Sequence, residues 1–398
     1  MKLRNCGHHF IKKGENLENS AKKSPVKTVW QQGSMATTVE TLPPPELIEH
    51  IETTFLGTPG GLQYHHTTGI PKLRAIRNCY FVFLRRSGNM LGSIGYVLRD
   101  TKTGDKIHKT WLIRYFSVKA PLRTEKKSRK EIKKRALNDR SVSMLKDITH
   151  IFHDNPERLI DLEVKEIPKA VIYGLVEKKN DRSRNFAEIG GFHKTGEIES
   201  FMFSRLRQRK RIPVERLGKD EIPEMKKLLE EFYKGHAFYF DEYLFINDNY
   251  FVLRENGEII AGLQANEEIW EIKTIGNEFL DRIIRFLTRI PLIGKRFRYE
   301  EMRFLGIEGI YFRKGHEAAI YKLLEGVLNL MDQYLALLIM DIKSPEFRVF
   351  RERKKLGPVN TILGSFEADM YTKFFSFPED EKADALKRPT YISIYDNT

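Results

Sequence analysis

GIYFRKGHEAAIYKLLEGVL, residues 309–328, passes from an apolar run into two cations and a glycine, and then into a helix pattern. Ile310, Tyr311 and Phe312 read as the end of a strand. After Glu317 and Ala318, apolar residues recur three and four apart, the period of a helix buried on one face. Arg313, Lys314 and Gly315 fill the turn between them. The first turn of a helix leaves backbone N–H groups without partners, and its aligned peptide dipoles put partial positive charge there. A phosphate satisfies both, the two cations add attraction, and Gly315 permits a positive φ with close backbone approach. Glu317 works against this, since a carboxylate in the first turn can cap the helix itself and repels phosphate. A plain strand-to-helix turn with a solvated Arg–Lys pair is the competing reading, and the flanking sequence has to choose.

Outward from this turn the chain reads as two halves with one order of elements. A helix pattern ends near RLRQRKR (205–211), Pro213 follows, and KDEIPEMKKLLEEFYKG makes a fresh start, so a boundary is expected near 211. In the second half YFVLRENGEIIAGLQAN (250–266) is a hairpin turning at Asn256-Gly257; in the first, CYFVFLRRSGNMLGSIGYVLR (79–99) turns at Ser87-Gly88-Asn89. Each is followed by a strand pattern (109–118 and 302–312), a helix pattern (141–152 and 317–335), a buried-type strand (169–179 and 335–343), a short helix closed by glycine (180–192 and 344–357) and a last strand pattern (201–206 and 368–375). A strand, crossover helix and strand joined this way are parallel neighbours. Two unrelated α/β halves are the alternative.

This order resembles the GCN5-related N-acyltransferase superfamily, over about residues 45–206 and again 212–377. The resemblance implies an α/β fold of two tandem acyl-CoA N-acyltransferase-like domains, each a mixed β-sheet flanked by helices. The family's phosphate turn runs Gln/Arg, two residues, Gly, one residue, Gly/Ala. Here Arg313 and Ala318 stand at its ends, but His316 takes the glycine place and Gly315 comes one residue early. The resemblance implies a cofactor, acetyl-CoA or another acyl-CoA, held by Ile310, Tyr311, Phe312, Arg313, Lys314, Gly315, His316, Glu317, Ala318 and Ser344, with the pantetheine arm between splayed fourth and fifth strands. After FSVKAPLR the first half has a long basic insertion and no glycine, so no pyrophosphate site of this kind is expected there.

Amine acylation needs a base for the amine proton and a donor for the departing thiolate. Glu308 lies on the fourth strand, where the family often keeps a base. Strand alternation puts it on the side of Ile310 and Phe312, an apolar setting that raises a carboxyl pKa; a solvent-facing strand carboxylate is the alternative. The family's thiolate partner is a tyrosine before the closing glycine, where this chain has Phe350 and Phe186, so Tyr371 is the substitute, against its reading as a core tyrosine. Asn180 and Ser344 also read as ordinary helix caps. His65-His66 sits in a glycine- and threonine-rich stretch expected to be a mobile surface loop. His236 follows the first helix of the second half, where the family borders its acceptor site.

Of 398 residues, 68 are Lys or Arg against 54 Asp or Glu, a net +14 that favours anionic partners. In residues 119–140 ten cations face three acids, but no aromatics interleave with them or with 205–211, so nucleic acid is not favoured. Aminoacyl-tRNA-dependent transfer and a binding protein without turnover remain alternatives to an acyl-CoA enzyme acting on a small-molecule or protein amine. Cys6 and Cys79 fit no metal spacing, Cys79 reads as a buried thiol, and no stretch is long and apolar enough to span a bilayer, so a cytoplasmic protein is expected. Hydrolase triads and zinc motifs are absent from the sequence. The domains expected are a mobile basic tail (1–42), a degenerate N-terminal acyltransferase-like domain (43–211), a C-terminal one (212–380) and a tail (381–398).

Overall fold

The computed structural model describes residues 26–58, 60–118, 149–205, 212–289 and 297–397. The first half supplies strands β1 (Lys27–Gln32), β2 (Met35–Glu40), β3 (Gln63–His66), β4 (Cys79–Arg86), β5 (Asn89–Thr103), β6 (Lys106–Val118), β7 (Ala170–Glu177) and β8 (His193–Ser204). The second supplies β9 (Val214–Arg216), β10 (Tyr250–Glu255), β11 (Glu258–Thr274), β12 (Met302–Phe312), β13 (Leu335–Asp341) and β14 (Phe366–Phe375). The helices are α1 (Pro45–Thr53), α2 (Gly69–Ala75), α3 (Asp181–Ile189), α4 (Ile222–Phe232), α5 (Glu278–Leu287), α6 (Ala319–Leu330), α7 (Pro345–Val349), α8 (Pro358–Leu363) and α9 (Glu379–Lys387).

All fourteen strands join one sheet in the order β1-β2-β4-β5-β6-β7-β14-β8-β13-β12-β11-β10-β9, with β3 added to β11. The two hairpins turn where the glycine pairs stand: Ser87 and Gly88 have φ of 48° and 83°, Asn256 and Gly257 51° and 84°, the left-handed region a tight hairpin demands. The crossovers are parallel, β6 with β7 and β12 with β13. Expected strands and helices at 302–312, 317–335 and 335–343 form β12, α6 and β13. Of the helix expected at 141–152, residues 149–152 are helical and the rest lies outside the described residues, as do the basic run 119–140 and, apart from Arg205, the run 205–211.

The last strand of each half belongs to the sheet of the other. β8 pairs with β13 and β14, and β14 with β7 and β8, so the sheet crosses the sequence boundary near 211 without a break. Phe201 and Phe203 of β8 are buried in the C-terminal core with Ile320, Leu323, Leu324 and Val327 of α6, while Met370 of β14 is buried with Phe81 and Phe83. Burial of each such side chain contributes about 1.5–3 kcal/mol.

Both expected tails need correction. Within 1–42, residues 27–40 form the β1–β2 hairpin, and β2 pairs with β4 through buried Thr37, Thr38 and Val39, a buried run too short and too polar to stand out in the sequence. The expected tail 381–398 is, over its described residues 381–397, no loose tail either: Tyr391, Ile392, Ser393 and Ile394 are buried, and Asp396 is paired with Arg99 of β5.

Candidate active-site cleft

β12 and β13 pair only at Leu305–Ala336 and Gly306–Leu337, then separate. The cause lies in β12. Its register with β11 jumps from Glu308–Gln264 to Tyr311–Gly262, so Gly309 and Ile310 together oppose Leu263. Gly309 has φ 57°, a conformation in which glycine carries no steric penalty, and the extra residue bends and twists the strand. The separation opens a cleft with about 350 Å³ of empty space, part of it open to solvent, lined by Glu308, Ile310, Ile339, Ser344, His236 and Tyr391 among others.

Glu308 is buried at the head of this cleft. Its Oε1 accepts from Gln264 Nε2 at 2.8 Å and Asn266 Nδ2 at 3.1 Å, and its Oε2 from the Ser393 hydroxyl at 2.5 Å. Burial pushes its carboxyl up to about 7, against the opposing pull of the Ser393 hydrogen bond and the Lys72 charge. It is therefore a group that titrates near neutrality. The bulge corrects the expectation that Glu308 shares a face with Ile310 and Phe312. Those two pack with Ile320 and Leu323 under α6, whereas Tyr311 packs with Leu244 and Tyr391 on the side from which Ser393 reaches Glu308. A glycine inside a strand was the available signal.

His236 and Glu346 meet in the same cleft, both buried. Glu346 of α7 lies 3.2 Å from His236 Nε2, so the carboxylate engages that nitrogen and Nδ1 is the ring's other hydrogen-bonding atom. Nδ1 is buried with no hydrogen-bond partner among the described residues. Ser344 caps α7, its Oγ accepting the Phe347 N–H at 3.1 Å, and Asn180 caps α3 through Ser183 in the same way. Asp341, also in the lining, accepts the N–H groups of Thr390 (3.0 Å) and Lys343 (2.8 Å), and burial raises its carboxyl.

The 313–318 turn leads from β12 into α6. Gly315 has φ 86° and open space where a Cβ would project, so the corner is sterically free. Electrostatically it is occupied: Glu317 accepts the Gly315 N–H at 2.9 Å, Glu258 pairs with Arg313, and Glu255 lies 3.0 Å from His316. Both acids come from the β10–β11 turn. Lys314 and Ala318 are exposed beside them.

Two other expectations are corrected. Tyr371 is not in the cleft: strand exchange carries β14 into the first half, where Tyr371 packs with Tyr96 and Phe375 and its hydroxyl donates to Glu188 at 3.3 Å. His65-His66 is no mobile loop but the end of β3, with His66 buried and its Nε2 2.8 Å from Glu268 of β11. Glu268 also accepts from Thr68 and Lys72, tying α2 to the C-terminal half. Gln264, Asn266 and Glu268, every second residue of β11, were legible as a polar face; nothing in the sequence marked Ser393 or Tyr391. Cys79 is buried as expected, which pushes its thiol up to about 12. Among the described residues no acidic, histidine or cysteine group could hold a metal ion.

Twinned hairpin–strand–crossover units, splayed β12 and β13 and a single mixed sheet make up an α/β fold of two tandem acyl-CoA N-acyltransferase-like domains. The chain is similar in structure to the N-myristoyltransferase of Saccharomyces cerevisiae with bound myristoyl-CoA, with a TM-score of 0.54, 10% identity, and coverage of 94% of this chain and 87% of that one. A second structure of that enzyme, with myristoyl-CoA and inhibitors, gives 0.52, 10% identity, 92% and 87%. No protein-family model matches the sequence, and no curated protein matches it.

Proposed function

We propose that the chain is an N-acyltransferase that moves an acetyl or longer acyl group from coenzyme A to an amine on a small molecule or protein, with the C-terminal half (212–380) holding the acyl-CoA. The observation that carries this reading is the parting of β12 from β13 after two paired residues, beside a carboxyl group that titrates near neutrality. The fit is supported by the strand edges freed in the cleft and by the buried, unpartnered Nδ1 of His236. Ile310, Tyr311 and Phe312 lead to the cleft mouth, Ser344 lines its far wall, and Arg313, Lys314, Gly315, His316 and Ala318 face the phosphates once the Glu317 carboxylate swings away. When bound, the cofactor supplies a thioester carbonyl as electrophile. Glu308 accepts the amine proton, directly or through water, and a carboxyl group at about 7 is basic enough to do so at neutral pH. Tyr371 has no part in this reading. The N-terminal half shapes the acceptor side, and the buried thiol of Cys79 fits a reducing, cytoplasmic setting. Among the described residues no helix is long and apolar enough to cross a membrane.

Calorimetric titration with acetyl-CoA and with a long-chain acyl-CoA tests the assignment. Wild type binds at least one of them, and Arg313→Glu with Lys314→Glu abolishes that binding. No binding of either thioester, or equal binding by wild type and variant, removes it. A second reading, a binding protein without turnover, is favoured by Glu317, Glu255 and Glu258 standing at the turn; thioester binding without thiol release across a panel of amines supports it.

A further inference from the structure

The cleft uses no residue of α5, whose surface divides into an anchored side and an open one. Asn277 caps it, accepting the N–H groups of Phe279 and Leu280 at 3.1 Å. One side is fastened down. Asp281 accepts from Ile275 N–H at 3.0 Å, the Tyr299 hydroxyl at 2.7 Å and the Thr274 hydroxyl at 2.5 Å. Arg285 donates to the Lys273 carbonyl at 2.9 Å and lies over the Tyr299 ring, and Ile284 packs against the cluster of Trp270, Ile272 and Phe304.

These anchors fix the helix's rotation and hold its other side outward. There Phe279, Ile283 and Phe286 are 67%, 38% and 65% exposed. At 100° per residue the three fall within about 60° of one another, a single stripe along the helix. Arg282 borders that stripe and is exposed, as is Arg289 in the turn just past the helix. The acids of α5 are Glu278, in its first turn, and Asp281, already bonded inward. Isolated exposed apolar residues are ordinary, but two phenylalanines and an isoleucine in register on an anchored helix form a patch of the kind that marks an interaction site.

The charge beside the stripe selects the partner. A surface that takes aromatic and aliphatic side chains while offering anions along one edge is the headgroup–acyl boundary of an anionic bilayer. The chain's net +14 adds long-range attraction. At ten residues α5 is too short to span and can only lie on the surface. We propose that α5 docks this protein peripherally on anionic membranes, with Phe279, Ile283 and Phe286 entering the boundary and Arg282 and Arg289 meeting lipid phosphates. The proposal is independent of the reaction assigned to the cleft.

Co-sedimentation of the full chain with vesicles tests it. Wild type pellets with vesicles of phosphatidylcholine and phosphatidylglycerol in equal parts and binds phosphatidylcholine alone about tenfold less or weaker. Phe279→Ser with Phe286→Ser loses about tenfold or more of that binding, and Arg282→Glu with Arg289→Glu loses a similar factor. Both variants alter exposed side chains and keep the wild-type thermal midpoint. The proposal is overturned if wild type stays in the supernatant with the anionic vesicles. It is equally overturned if the double phenylalanine variant pellets like wild type, which assigns binding to basic surface elsewhere, or if light scattering shows a wild-type dimer that this variant abolishes, which makes the face a self-interface.

Discussion

Tyr115 and Gly309 occupy the same point in the two halves, each the first residue of a bulge with φ of 52° and 57°. In the first half the β5–β6 register jumps from Gly95–Arg114 to Ser93–Ser117, and β6 parts from β7 after Leu112–Tyr173, as β12 parts from β13. The residue before each bulge differs in kind. Arg114 stands where Glu308 does, and a guanidinium, always charged, cannot act as a base. The twin bulges therefore do not carry twin chemistry: a carboxyl group precedes only the second.

The bulge is the feature a single atom tests. In Gly309→Ala the new Cβ meets Leu244 at 2.9 Å and holds a positive φ, which costs an alanine about 1–2 kcal/mol before any clash. Urea denaturation should show at least that loss, and thioester binding should weaken with it. An alanine variant of wild-type stability and affinity would mean that the strand does not need the bulge.

At the turn, Glu317 occupies the N–H that the cofactor reading assigns to a phosphate. Glu317→Ala frees that group and removes a repelling charge from the first turn, so acyl-CoA should bind about fivefold more tightly. Tightening should fade at high salt, because the residue is only partly buried and its influence is screened. Weaker binding in the variant would show that the carboxylate orders the turn instead of obstructing it.

Burial raises the Glu308 carboxyl from the ordinary 4.5 to about 7, so between those values the folded chain holds a proton that the unfolded chain has released. Stability from this group falls as pH climbs across that window, and the loss is complete above about 7. Catalysis runs the other way: kcat/KM should rise with pH and level off above about 7 as the base deprotonates. Glu308→Gln should flatten both trends and lower turnover about 10²–10⁴-fold, with cofactor affinity unchanged. Undiminished turnover would exclude Glu308 as the base.

The order of elements was legible because each has a local signal: Asn256-Gly257 for a hairpin, i, i+3, i+4 spacing for α6, an unbroken apolar run for β13. What escaped was long-range. Nothing near β14 says that its partners are β7 and β8, and so Tyr371 was assigned to the wrong half. Ser393 bonds to a residue 85 positions away, and Asp396 pairs with Arg99 across 297. Glu308 was legible as chemistry but misjudged in orientation, since period-two alternation fails across a bulge. The acids at the turn, Glu255 and Glu258, flank the hairpin that announced the fold, but only the folded chain brings them to Arg313 and His316.

The Arg99–Asp396 pair fastens the C-terminal segment that delivers Ser393 to Glu308. It is bidentate, at 3.0 and 2.9 Å, with both side chains fully buried and the guanidinium over the Phe240 ring. Asp396→Ala leaves that cation without its counter-ion and should cost about 3–5 kcal/mol in urea denaturation. Arg99→Met combined with Asp396→Leu should recover most of it, since apolar replacements of similar volume avoid the unpaired charge. A single variant as stable as wild type would show that the segment is held by packing alone.

His236 offers the sharpest separation between binding and proton handling. Glu346 faces Nε2, so the unpartnered Nδ1 is the atom left to meet a ligand, and the amine acceptor of the proposed reaction brings N–H groups to the cleft. His236→Gln keeps a group near Glu346 but loses the Nδ1 atom, so KM for the amine should rise about tenfold or more while thioester affinity stays level. Glu346→Gln weakens the hold on Nε2 and should produce a smaller change of the same kind. His236→Asn, whose side-chain oxygen falls near the Nδ1 position, should restore part of the loss. Equal defects in the Gln and Asn variants would reduce His236 to a packing role, and a loss of thioester affinity in both would move it to the cofactor's side of the cleft.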